Sequence, residues 1–112
     1  MGIKVNSFEL KESFGLDYED ISRMQEVFAT YPVIKKVVVY GSRAMGNFKP
    51  YSDIDLTIMG NVSLSTLHEI ETELDDLLLP YKIDISIFDK ISNPDLIEHI
   101  DSVGKVFYKA NL

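Results

Sequence analysis

Two aspartates separated by one residue, Asp53 and Asp55, stand ten residues beyond a Gly41-Ser42 pair, and a third, Asp84, lies in the apolar run Ile83 to Phe88. On a strand, i, i+2 spacing puts both carboxylates on one face, about 6 to 7 Å apart along the chain. Such a pair can share divalent cations, and two hard cations about 3.5 to 4 Å apart are the usual device for phosphoryl or nucleotidyl transfer. Gly41-Ser42 follows the strand-like run Val37 to Tyr40, so backbone free of a Cβ sits at a strand end where a phosphate can approach closely. The constellation points to metal-dependent chemistry on a nucleotide.

The elements that must position these residues are legible as periodicities. Asp17 to Thr30 carries apolar residues at Ile21, Met24, Val27 and Phe28, the pattern of an amphipathic helix, with Asp17 as N-cap and Pro32 as terminator. Val33 to Tyr40 is β-branched and nearly continuous in apolar character, which predicts a central strand. Asp53 to Met59 alternates strictly: Ile54, Leu56 and Ile58 face a core, with Asp53, Asp55 and Thr57 opposite. Ser63 to Leu78 predicts a second helix whose apolar stripe is Leu64, Leu67, Ile70, Leu74, Leu77 and Leu78, closed by Pro80. Its acidic residues Glu69, Glu71, Glu73, Asp75 and Asp76 read as the solvated side. Lys82 to Phe88 alternates again, Asn93-Pro94 opens a last helix to about Val103, and Gly104 stops it before a short edge strand, Val106 to Tyr108. Alternating elements of this kind predict one α/β (α+β) domain spanning residues 1–112.

The phase of the third strand selects the third carboxylate. Ile83, Ile85 and Ile87 share one face, so Asp84 and Ser86 share the other, while Asp89 falls on the isoleucine parity. Three converging carboxylates repel one another unless cations neutralise them, which is the physical reason to infer Mg²⁺. Magnesium takes oxygen ligands and keeps waters and substrate phosphates, so a few carboxylates suffice.

Composition sets the outer limits. A chain of 112 residues has room for one core and one small sheet. It contains no cysteine, which excludes a disulfide scaffold and cysteine-ligated zinc and fits a reducing cytoplasm. Met1 to Leu10 has no long apolar stretch of the leader type, and no run approaches a membrane span, so the reading is a soluble, unexported protein. A formal net charge of −7 argues against direct gripping of a nucleic-acid backbone.

Tyr40-Gly41-Ser42-Arg43-Ala44-Met45-Gly46 followed by Tyr51-Ser52-Asp53-Ile54-Asp55-Leu56 resembles the signature of the DNA polymerase β-like nucleotidyltransferase superfamily, most closely its minimal nucleotidyltransferase (MNT) branch. The likeness covers almost the whole chain, and the spacing between the two halves, with a third strand aspartate after a helix, is what makes it specific. It implies a small mixed sheet with helices packed on it. It also implies that Ser42 and the Gly41 backbone hold the β and γ phosphates, that Arg43 adds a charged contact, that Asp53 and Asp55 bind two Mg²⁺ ions, and that Asp84 completes the metal nearest the nucleophile. An acceptor hydroxyl would then attack the α-phosphorus of ATP or another NTP, with pyrophosphate leaving. Met45 departs from relatives that carry a second basic residue there.

Other residues have plainer readings. Arg43 could equally pair with a nearby carboxylate, Gly46 reads as a turn, and Ser52 reads as orienting its loop or Asp53. His68 and His99, single on their helices, read as surface or packing residues. Tyr40, Tyr51 and Tyr81 flank the site in core or rim roles. Two function classes stand. One is an active nucleotidyltransferase moving NMP, most plausibly AMP, to a hydroxyl. The other is a nucleotide-binding or structural subunit of a two-component complex without activity of its own. The resemblance implies a small helical HEPN protein as partner, adenylylated by an antitoxin-like MNT chain; related small enzymes instead modify aminoglycosides, with a helical domain for which this chain has no room.

Overall fold

The structure, a computed structural model, describes residues 12–110; the reading of Met1 to Leu10 as lacking a leader lies outside the described residues. The elements run α1 (Tyr18–Ala29), β1 (Ile34–Tyr40), α2 (Gly41–Met45), β2 (Ile54–Gly60), α3 (Leu64–Asp75), β3 (Ile83–Ile87), a 3₁₀ turn (Phe88–Lys90), α4 (Pro94–Val103) and β4 (Lys105–Lys109). The strands form one mixed sheet in the order β3-β2-β1-β4. β1 pairs antiparallel with both β2 and β4, while β2 and β3 are parallel because α3 carries the chain back between them.

Strand alternation divides the interior into two layers. Val37 and Val39 of β1, Ile54, Leu56 and Ile58 of β2, and Ile85 and Ile87 of β3 point to one face, where Ile21, Met24, Val27 and Phe28 of α1 and Leu67, Ile70 and Leu74 of α3 close the main core. The opposite face is covered only in part. Val38 and Tyr40 meet Ile100 of α4 there, with Met59, Phe88 and Leu96 at the margin. The face of β2 that carries Asp55 is therefore half roofed, and Thr57 is fully buried beneath it.

Caps set two helix starts. Ser63 Oγ accepts the Thr66 N–H at 3.1 Å, and Asn93 Oδ1 accepts the Asp95 N–H at 2.9 Å, with proline in the first turn. Asp17 occupies the N-cap position of α1 without a side-chain cap bond.

The structure corrects parts of the α3 reading. The helix ends at Asp75, and Leu78 lies beyond it at φ 55, in the left-handed region that turns its side chain out to 87% exposure. Leu64, in the first turn, precedes the buried stripe and is 56% exposed. Glu73 is not simply solvated, because its carboxylate accepts the Tyr31 hydroxyl and ties α3 to the turn after α1.

Candidate active site

The carboxylates gather at one end of the sheet, on the face half covered by α4. Asp55 is the second residue of β2, paired with Tyr40 on β1 and with Asp84 on β3, so three side chains stand in a row across neighbouring strands. Adjacent strands lie about 4.8 Å apart, which brings Asp55 and Asp84 within mutual electrostatic reach. Asp53 sits just ahead of β2 rather than within it, and is exposed.

The charges register on Asp55. Burial pushes its carboxyl above the ordinary aspartate range; Asp84 and then Asp53 push it the same way, and His99 pulls it back. The Tyr40 phenol is likewise raised, by burial first and then by Asp55 and Asp84, with hydrogen bonding to Ser86 opposing. The Ser86 hydroxyl in turn donates to Thr57 Oγ1 at 3.0 Å, which anchors this row to the sheet.

Gly41 and Ser42 form the start of a short helix that the sequence pattern did not reveal. Gly41 adopts φ 70, and a Cβ there would overlap Asp55 Oδ2, so glycine is required both for the turn and for the carboxylate's approach. The Gly41 N–H donates to His99 Nε2 at 3.2 Å. Ser42, half-buried, follows in the first turn, where amides have no intrahelical acceptor. The turn ends as expected at Gly46, φ 86, whose N–H returns to the Ser42 carbonyl at 2.9 Å.

Arg43 is not brought to the carboxylates. Only 1% exposed, its guanidinium donates to the carbonyls of Phe14 at 2.8 Å, Pro50 at 3.2 Å and Ser52 at 3.0 Å, and it lies 5.1 Å from the Phe48 ring centroid and 4.9 Å from that of Tyr81. The charged phosphate contact expected of it is replaced by a structural one: the fork fixes the Ser52 carbonyl, immediately before Asp53. Ser52 also orients the loop, its Oγ accepting the Lys49 N–H at 2.8 Å. Of the flanking tyrosines, Tyr40 is buried beside the carboxylates, Tyr81 packs on Arg43, and Tyr51 is 77% exposed.

His99 is the residue that the sequence pattern understated. Its ring stands at 81° to Tyr40, with centroids 6.1 Å apart. Nothing local in α4 marks it, since its partner lies on a distant strand end. His68 stays on the surface of α3. Asp89 falls in the 3₁₀ turn, exposed and out of the carboxylate row.

Among the described residues, no three His, Cys, Asp or Glu side chains are grouped closely enough to hold a metal ion by themselves, so any cation here would draw part of its shell from water and substrate. The donor set is open and all-oxygen. That suits Mg²⁺, which keeps waters and substrate phosphates in its shell. Among the described residues, no helix is long and apolar enough to cross a membrane.

A four-stranded mixed sheet with Gly-Ser at the end of one strand and carboxylates on the next two has the architecture of a nucleotidyl-transferring enzyme. Residues 22–111 match the family model described as polymerase beta, nucleotidyltransferase. A Methanocaldococcus jannaschii protein named "Putative protein adenylyltransferase" is 32% identical over 82 residues, spanning 67% of this chain and 79% of the relative. Among solved structures, a toxin-antitoxin with AMP-PNP superimposes with TM-score 0.65 at 18% identity, covering 86% of this chain and 76% of that one. A tri-AMPylated Shewanella oneidensis HEPN toxin in complex with MNT antitoxin gives TM-score 0.61 at 14% identity, covering 83% and 72%. At such identities the structural likeness concerns the fold alone. The chain belongs to the polymerase β nucleotidyltransferase family, and is a nucleotidyltransferase by that membership.

Proposed function

We propose that this chain transfers AMP from ATP to a hydroxyl group on a partner protein, a small helical chain of the HEPN type, and so acts as the antitoxin of a two-component pair. The observation that carries the reading is the matched register of Asp55 and Asp84, with Asp53 at the head of the same strand and Gly41-Ser42 at the neighbouring strand end. The relative named for protein adenylylation supports the choice of AMP and of a protein acceptor. The solved neighbour in which a HEPN toxin is AMPylated beside an MNT antitoxin supports the class of partner.

Asp53, Asp55 and Asp84 would hold two Mg²⁺ ions, which when bound offset the charge of the triphosphate and acidify the acceptor hydroxyl. Ser42 binds the β and γ phosphates through its hydroxyl and first-turn amide. Arg43 acts from the interior, holding the Ser52 carbonyl and with it the stretch of chain that leads into Asp53. Asp84 receives the proton from the acceptor oxygen as that oxygen bonds to the α-phosphorus. The bond from the α-phosphorus to the bridging oxygen breaks, and pyrophosphate leaves. An ATP-dependent reaction of this kind suits a cytoplasmic protein.

The test is label transfer. Purified chain, Mg²⁺, α-labelled ATP and the candidate helical partner should yield labelled partner, and Asp53→Ala or Asp55→Ala should abolish labelling while leaving the complex intact on gel filtration. Complex formation with no label from the parent chain would reduce the protein to a binding subunit. Pyrophosphate release with an aminoglycoside and no partner protein would move the acceptor to a small molecule.

A further inference from the structure

The Gly41 amide opens α2 and has no acceptor within its own helix. It is satisfied instead by His99 Nε2 at 3.2 Å, from an element 58 residues further along the chain. A neutral imidazole carries one proton, so a ring that accepts at Nε2 must hold its proton on Nδ1. Tyr40, the residue before Gly41, stands edge-to-face against the same ring, so α4 grips two consecutive residues of the strand end.

Gly41 is thus held from two sides. Asp55 Oδ2 occupies the place a Cβ would take, and His99 takes the N–H. α2 is only five residues long and has almost no cooperative stability of its own, so contacts of this kind set the direction of its first turn. Ser42 is the next residue, and its hydroxyl and amide face whatever direction that turn imposes.

We propose that His99 is a positioning residue for the nucleotide phosphates: it holds the Gly41 amide, fixes the direction of the first turn of α2, and so makes Ser42 the first donor the triphosphate meets. The kinetic half of this inference rests on the nucleotidyl-transfer reading above; the hydrogen bond does not. It also revises the expectation that the Gly41 amide contacts phosphate, since in this structure that amide is already engaged.

Two measurements test it. In nitrogen-15 NMR of the nucleotide-free protein, His99 should show the Nδ1–H tautomer and the Gly41 amide should exchange slowly; an Nε2–H tautomer overturns the proposal whether or not the protein turns over ATP. In steady-state transfer, His99→Leu should raise KM for ATP about fivefold, the weight of one hydrogen bond, with kcat within about twofold. His99→Gln, whose Oε1 reaches near the Nε2 position, should restore the parent KM, and His99→Asn, too short to reach, should behave like His99→Leu. An unchanged KM in the folded Leu and Asn variants overturns the positioning role. A lowered KM also overturns it, because phosphate would then be using the freed amide. If His99→Leu fails to fold, the contrast between Gln and Asn carries the same test. A parent chain with the Nδ1–H tautomer but no ATP turnover would count against the proposed function and leave the hydrogen bond standing.

Discussion

Asp55 and Asp84 face each other at matched register across the parallel strands β2 and β3, on the half-roofed face of the sheet. The consequence is a carboxyl group that holds its proton above the usual value of 3.8, through burial first and then through Asp84 and Asp53. The folded chain therefore binds more protons than the unfolded one just above that value, so this group's contribution to stability is full at lower pH and is lost as pH rises through the raised pKa. Without divalent cation, Asp55→Asn should melt at a higher temperature than the parent at pH 7, and the gap should close in acid below about pH 3.8. Mg²⁺ should raise the parent's melting temperature and leave Asp55→Asn unmoved. Scanning calorimetry across pH, with and without Mg²⁺, decides the matter; a variant less stable than the parent at pH 7 would contradict it.

Gly41→Ala tests the other wall of the site. The substitution places a Cβ against Asp55 Oδ2 at φ 70, where L side chains are disfavoured by about 1–2 kcal/mol before any overlap is counted. Relief requires the carboxylate to move. The expected outcome is a loss of at least about 1–2 kcal/mol in urea unfolding together with a larger loss of transfer activity than that destabilisation explains. Full activity in the folded variant would mean that Asp55 has freedom that the structure denies it.

The parts of this site that could be read from the chain are those that local periodicity encodes. Ile21, Met24, Val27 and Phe28 are all buried because helix spacing places them on one stripe, and Ile54, Leu56 and Ile58 because strands alternate. The same two-residue period placed Asp84, and not Asp89, in register with Asp55. Leu78 escaped because a left-handed residue beyond a helix end breaks the period. Arg43 and His99 escaped for a different reason: their partners Phe14 and Gly41 lie 29 and 58 residues away, and no spacing rule reports contacts across that much chain.

Arg43 makes the long-range point measurable. Its guanidinium satisfies carbonyls from Phe14, Pro50 and Ser52 between two aromatic rings, a geometry that a lysine ammonium cannot reproduce from one position. Arg43→Lys should cost about 2–3 kcal/mol, from carbonyls left without donors in a buried site. Because Ser52 precedes Asp53, the remaining folded protein should also need more Mg²⁺ for half-maximal activity. Denaturant midpoints and a Mg²⁺ titration of label transfer give the two readouts; parent-like stability with a raised KM for ATP would instead put the guanidinium on the phosphates.

The last prediction separates two aspartates five residues apart. Asp84 lies on β3 in line with Asp55, whereas Asp89 lies in the exposed 3₁₀ turn that follows, on the other side of the strand's end. If Asp84 receives the acceptor's proton and shares the cations, Asp84→Asn should lower kcat by on the order of a hundredfold or more, the usual weight of a positioned general base. Asn keeps the shape and removes a charge that opposes Asp55, so folding should be spared and melting without divalent cation should not fall below the parent's. Asp89→Asn, matched in chemistry and absent from the carboxylate row, should leave transfer unchanged. Equal losses in the two variants would show that net negative charge, and not the register across β2 and β3, is what the reaction needs.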